Sequence, residues 1–252
     1  MTGTIGVVTA LPGEARKLAG QSCRQKADGF LYCRTVLKDE TGLLVVHAGV
    51  GAKNAFSAAM WLLENGVTAL GCFGVSGGLN PRLKPGDVVF ADMVLGEQHD
   101  AVSRVWKNDG GHLDDTFKCI AAKDLSVQRG PIISVQKPVL DAAGKRALFH
   151  RTKALAVDME TAAVARAANQ SGIPFFAIRA VCDPANVSVP EAIFQCVDQK
   201  GHPRLPYILG ILFRRPLLIS HLFRMKRDFT AALAVGPHVR NCLEEMKVFP
   251  AP

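Results

Sequence analysis

Residues 157–184 read Val-Asp-Met-Glu-Thr-Ala-Ala-Val-Ala-Arg-Ala-Ala-Asn-Gln-Ser-Gly-Ile-Pro-Phe-Phe-Ala-Ile-Arg-Ala-Val-Cys-Asp-Pro. The alanine-rich run Met159–Gln170 suits a short helix, and Gly172 followed by Pro174 stops it. Phe175–Val181 is then apolar without alternation, as a strand covered on both faces requires. Two carboxylates, Asp158 and Glu160, stand at the mouth of the helix, and a third, Asp183, ends the strand. In open α/β sheets ligands sit beyond the carboxyl ends of the strands, so acids at that edge are candidates for chemistry. They suit a polyol gripped by one acid and a heterocycle protonated by another.

The same alternation extends along the chain. Strand-like runs occur at Thr4–Ala10, Phe30–Leu37, Leu43–Ala48, Ala69–Gly74, Asp87–Leu95, Gly130–Val135 and Ala154–Val157. Helical patterns fall at Gly13–Ala19, Ala52–Asn65, Thr116–Lys123 and Pro138–Phe149. Alternating β and α elements predict an α/β fold, a three-layer αβα sandwich. The short link between Phe30–Leu37 and Leu43–Ala48 predicts an antiparallel pair, so the central sheet is expected to be mixed. At 252 residues, with no low-complexity linker, residues 1–252 are expected to form one domain. Within it, 199–228 reads as a basic apolar flap and 229–247 as a C-terminal helix.

Hydrophobic content of 48% supplies a packed core and excludes a disordered chain. The seven cysteines are odd in number, form no Cys-x-x-Cys pair and lie partly in apolar strands, which predicts free thiols in a reducing cytoplasm. The histidines show no ligand spacing, so neither a metal nor a cofactor is expected. Met1–Ala10 lacks the charged start and long apolar core of a signal peptide, and no stretch has the uninterrupted length of a spanning helix.

Two glycine-rich turns follow strands. His47-Ala48-Gly49-Val50-Gly51 opens a helix but lacks the third glycine and the acid of a dinucleotide fingerprint. It is either a tight turn or a loop whose N–H groups face a ligand. Phe73-Gly74-Val75-Ser76-Gly77-Gly78-Leu79 lets the backbone approach a flat ring.

Together, Ile5-Gly6-Val7-Val8 with Glu14, Gly49-Val50-Gly51, Gly74 to Leu79, Pro85-Gly86-Asp87, Asp158-Met159-Glu160 and Arg179 to Asp183 resemble the nucleoside phosphorylase superfamily. The likeness covers about residues 4–198 and is closest to the methylthioadenosine/S-adenosylhomocysteine nucleosidase branch. The extension after it resembles the bacterial hopanoid-associated phosphorylases, proposed to remove adenine from adenosylhopane.

The resemblance implies cleavage of an N-ribosidic bond. Asp183 then protonates the departing purine, Glu160 accepts hydrogen bonds from the ribose hydroxyls, Met159 packs on the sugar, and Glu14 activates the attacking water. Asp158, Ser76, Gly77 and Gly49 complete the expected substrate contacts. Plainer readings stand beside these. Asp158 and Glu160 can complement a helix N-terminus, Glu14 can be a solvated first-turn acid, and Asp183 can be a turn residue before Pro184. Glycine-rich loops without arginine favour water over phosphate, although Lys53 and Arg16 remain as anion ligands for a phosphorylase. Departures from the family pattern are Val75 where a hydroxyl is expected, Cys182 in place of a serine, and Ser134–Lys137 where an aromatic partner for the base is common.

Net charge is +8, and from Gln199 to Arg227 no acid offsets Lys200, Arg204, Arg214, Arg215, Arg224, Lys226 and Arg227. With Leu, Ile and Phe among them, the segment reads either as a contact with an anionic membrane or as a flap on the domain or a partner subunit. The partners expected are a small nucleoside, the inner membrane face and a second copy of the chain, with no nucleic acid. A non-catalytic binding module is the remaining alternative; its lipid-like company of Leu and Ile speaks against RNA.

Overall fold

The computed structural model describes residues 3–21, 23–37, 40–98, 101–107, 112–122, 125–194, 198, 204, 206–207 and 218–245. Four parallel strands carry the fold: β1 (Thr4–Thr9), β4 (Gly42–His47), β5 (Ala69–Gly78) and β10 (Phe175–Asp183). Ile5 stands between Leu43 of β4 and Ala69 of β5, and Phe175 stands beside Leu70. These strands are buried almost throughout, which is why their sequences do not alternate. The antiparallel pair is present as β3 (Phe30–Val36) against β4, with β2 (Gln25–Ala27) at the edge.

The sheet then does something that the sequence does not show. β6 (Val88–Gln98) pairs antiparallel with β10 and parallel with β8 (Val127–Ser134). β8 pairs with β9 (Ala156–Asp158), and β9 returns to β5. Five strands of the mixed sheet therefore close into a ring. A register shift between Ala91 and Met93 bends β6 where the ring must curve. β7 (Ala101–Lys107) adds to the outside of β6; like β2, it is mostly exposed, although its Trp106 is buried against Phe175.

Helices cover the sheet in two groups. α2 (Ala52–Glu64) packs on α5 (Thr161–Ser171), where Ala162, Ala163, Ala165, Ala167 and Ala168 are buried and allow close approach. α1 (Pro12–Ala19) and α3 (His112–Ala121) pack on the C-terminal helix α8 (Val235–Glu245). Cys119 of α3 and Cys242 of α8 are joined as a disulfide, with Cα atoms 5.7 Å apart. That corrects the expectation of free thiols throughout: packing brings together two cysteines 123 positions apart, a proximity no local pattern encodes.

Two helices start later than their periodicity suggests. α4 runs Ala142–Thr152, not from Pro138, because Asp141 caps it by accepting the Gly144 N–H at 2.8 Å. α5 begins at Thr161, which leaves Met159 and Glu160 in the preceding loop. α6 is the short turn Glu191–Phe194, and α7 spans Leu218–Leu233. α7 starts inside the segment read as a flap and packs on β10; most of 199–217 lies outside the described residues. Among the described residues no helix is long and apolar enough to cross a membrane.

Candidate active site

A cavity of about 690 Å³ opens where β1, β4, β5, β9 and β10 end. Ala10, Leu11, Val50, Gly51, Ser76, Gly77, Asp158, Cys182 and Asp183 all line it. This is the strand-end crevice expected of an α/β sheet. Glu14, Met159 and Glu160 reach it from α1 and from the loop before α5. Of the candidate residues only Gly49 does not line the cavity; its neighbours Val50 and Gly51 do.

Glu14 is 1% exposed, so it is not the solvated helix acid that its neighbours Arg16 and Lys17 suggest. Its Oε2 accepts the N–H groups of Ala10 and Leu11, both at 2.9 Å, and its Oε1 accepts that of Val75 at 2.8 Å. One carboxylate thus ties the start of α1 to β5. Burial raises its pKa, opposed by Arg179 and by the three N–H donors.

Glu160 is gripped from the glycine-rich turn. Gly51 has φ +103°, a conformation that favours glycine, and its N–H donates to Glu160 Oε1 at 2.7 Å. Burial, then the Asp158 charge, push the Glu160 pKa up to about 7, with Arg179 acting against them.

Asp158 behaves differently. Ser134 Oγ donates to its Oδ1 at 2.5 Å, Thr161 donates to Oδ2 from both N and Oγ1, and Arg179 Nη2 lies 2.5 Å from Oδ2. It lines the cavity while its oxygens serve the start of α5 and the arginine behind it. Arg179 is itself 1% exposed and donates to Thr161 Oγ1 and Cys72 Sγ. Burial opposes its charge, but Asp158, Cys72, Glu160 and Glu14 together raise its pKa. A Cβ on Gly74 would lie 2.5 Å from Arg179 Nη1 and 2.7 Å from Glu14 Oε1, both immobilised by burial. Glycine there is what allows the acids and the guanidinium to meet.

Asp183 owes its aim to an irregularity. The β5–β10 register shifts between Val181 and Asp183, which sets Asp183 opposite Gly77. Cys182 Sγ donates to Asp183 Oδ1 at 3.0 Å, so the cysteine retains the donor that a serine would supply. Lys145 Nζ, on α4, lies 2.6 Å from Asp183 Oδ2. Ser76 Oγ is buried at the cavity wall with no hydrogen-bond partner among the described residues. Lys53 lines the cavity, whereas Arg16 is exposed and does not.

Four contributors escaped the sequence reading. Arg179 and Lys145 look like ordinary strand and helix cations, and only burial marks them. Met225 and Phe229 of α7 line the cavity from the far end of the chain. Phe229 brings an aromatic side chain to the cavity wall, and no signal in its own segment predicted that.

The raised Glu160 pKa has a measurable consequence. Its folded value exceeds the ordinary 4.5, so protonation stabilises the fold fully below about 4.5, and that contribution is lost as pH rises through about 7. Above that, burying the charge costs at most about 3 kcal/mol. Glu160→Gln should therefore melt higher than the wild type at pH 8, and the difference should vanish at pH 4.5. Thermal unfolding at the two pH values reads this directly.

Fold and cavity define a mixed α/β protein with carboxylates gathered at the strand ends. Residues 4–200 match the family model of the phosphorylase superfamily. The chain belongs to that superfamily. Among solved structures, a mutant of MTAN from Helicobacter pylori with 5′-methylthioadenosine in its active site is 16% identical, covers 98% of this chain and 100% of its own, and superposes with a TM-score of 0.74. The 5′-methylthioadenosine/S-adenosylhomocysteine nucleosidase of Neisseria meningitidis, bound to methylthio-immucillin-A, is 20% identical over 96% and 99% of the two chains, with a TM-score of 0.74. Futalosine hydrolase of Helicobacter pylori matches at 16% identity over 98% and 99%, again with a TM-score of 0.74. The chain shares their fold.

Proposed function

We propose that the protein hydrolyses the N-ribosidic bond of an adenosine carrying a large apolar 5′ substituent, releasing adenine. The observation that carries this reading is the convergence of Glu14, Glu160 and Asp183 on one cavity from three different elements. Asp183 hands a proton to N7 of the purine as the bond to C1′ breaks, so that the base leaves neutral. Glu160 accepts hydrogen bonds from the ribose hydroxyls, and its charge favours the cation-like sugar. Glu14 orients water for attack on C1′ and takes its proton. Asp158 steadies the start of α5, Met159 packs on the sugar, and Ser76 offers its unpaired hydroxyl to the substrate beside Gly77.

Water is favoured over phosphate by charge. The cavity wall carries Glu14, Asp158, Glu160, Asp183 and Asp198, against Lys53 as its lining cation among the described residues. Lys53 is also the one observation that supports the alternative, phosphorolysis. Purified protein incubated with 5′-substituted adenosines should release adenine at the same rate in phosphate-free buffer. A rate that depends on phosphate, with the 5-substituted ribose 1-phosphate formed, replaces hydrolysis by phosphorolysis; no adenine from any such nucleoside ends both.

The 5′ substituent is read from the remaining wall. Val135, Val139, Leu140, Val189, Met225 and Phe229 are apolar, and the volume is that of a site for a sizeable ligand. A lipid-linked nucleoside such as adenosylhopane has this chemistry, and it should be a better substrate by kcat/KM than adenosine. The same helix that supplies Met225 and Phe229 turns Phe223, 69% exposed, outward with Arg224, Lys226 and Arg227. We take this face as a contact with an anionic membrane. Sedimentation with anionic but not neutral vesicles, lost in Phe223→Ser, is the expected result.

A further inference from the structure

Lys145 is wholly buried, yet its ammonium carries a full charge into the interior. A buried charge is tolerated only where partners replace water. Its partners all belong to one short stretch: Asp183 Oδ2 at 2.6 Å, and the carbonyls of Val187 at 2.9 Å, Pro184 at 3.0 Å and Asp183 at 3.4 Å. The helix α4 therefore delivers a cation to the carboxylate from the side away from Cys182, whose thiol holds the other oxygen. The cation's contact is not local in sequence, since Lys145 and Asp183 are 38 positions apart.

We propose that Lys145 is the positioning residue of the leaving-group acid. It fixes the rotamer of Asp183 toward the cavity and neutralises the carboxylate that remains once the proton has gone. The inference rests on the nucleosidase reading above. In the step concerned, the N9–C1′ bond breaks and its electron pair stays on the base. The Asp183 proton forms the N7–H bond, and the new carboxylate is held against the ammonium. Water closes the sequence by forming the C1′–O bond and giving its proton to Glu14, and the two acids re-equilibrate their protons through solvent. Lys145 itself neither gains nor loses a proton.

The test compares Lys145→Gln, which keeps N–H donors for the carbonyls but removes the charge, with Lys145→Arg, which keeps the charge. Adenine release by Lys145→Gln should show kcat lower by about 10–100-fold, the usual weight of a charge-assisted contact, with KM within about twofold. Lys145→Arg should recover part of that kcat. In an Asp183→Asn background the Gln substitution should cost little more, because groups acting as a unit are not additive. Losses that add in the double variant, a loss that falls on KM, or an Arg protein as slow as the Gln protein each overturn the proposal. So does a Gln protein that does not fold, since Lys145 is then an element of the core. An Asp183→Asn protein as fast as the wild type instead overturns the reading on which the proposal rests.

Discussion

Asp183→Asn should fold and still bind a 5′-substituted adenosine, but release adenine about 10²–10⁴-fold more slowly, the usual contribution of a placed general acid. The amide keeps the size of the carboxyl group, and its single oxygen can still accept from Lys145 while its NH2 takes the place of the oxygen that faces Cys182. What it lacks is a proton to give, so the purine would have to depart as an anion. The loss belongs in kcat rather than KM, because the transfer is realised as the bond breaks. Some stability should go as well, since Lys145 is left with its three carbonyls and no counter-charge. Comparing steady-state kinetics at a temperature well below both melting points separates the two effects. An Asn protein with wild-type kcat removes Asp183 from the chemistry.

Arg179→Met should cost about 3–5 kcal/mol of stability, the usual penalty for breaking a buried ion pair from one side. In a domain of this size that lowers the melting temperature by roughly 6–20 °C. The guanidinium lies 2.5 Å from Asp158 and 3.9 Å from Glu160, and it donates to Thr161 and Cys72. Methionine fills much of the volume but leaves Asp158 as an uncompensated buried charge. The same change acts on the cavity: Arg179 opposes the upward pull of burial on both Glu14 and Glu160, so without it both carboxyls should rise further. Glu160 must be ionised to accept from two hydroxyls, so kcat/KM should climb with pH around 7 in the wild type and at higher pH in the variant. Lysine should rescue poorly, because one ammonium cannot reproduce the forked contacts to Asp158, Thr161 and Cys72. A variant with unaltered melting temperature and pH profile would show that the acids do not depend on the arginine.

Much of this was legible in the chain because it is local. The apolar, non-alternating runs of β1, β4, β5 and β10 announce a sheet covered on both faces, and Gly172 with Pro174 marks the end of α5. Acids that follow a strand or precede a helix fall at the strand-end edge by chain geometry alone, so Asp158, Glu160 and Asp183 could be singled out. β2 and β7 were silent because they are edge strands: β2 is three residues long and largely polar, and in β7 Trp106 is the one buried residue, too little to mark a covered strand. Cys119 and Cys242 gave no sign of their pairing, being in helices that meet only through packing.

Sequence by itself determined which residues end the strands, and hence which carboxylates stand at the rim of the sheet. Tertiary structure alone decided their company: the ring closure that brings β9 back to β5, the register shift that turns Asp183 toward Gly77, and the approach of Arg179, Lys145 and Phe229 from distant segments. The reason is physical. Strand and helix signals arise from interactions a few residues apart, whereas the charge state and aim of a buried carboxylate depend on neighbours that only the folded chain assembles.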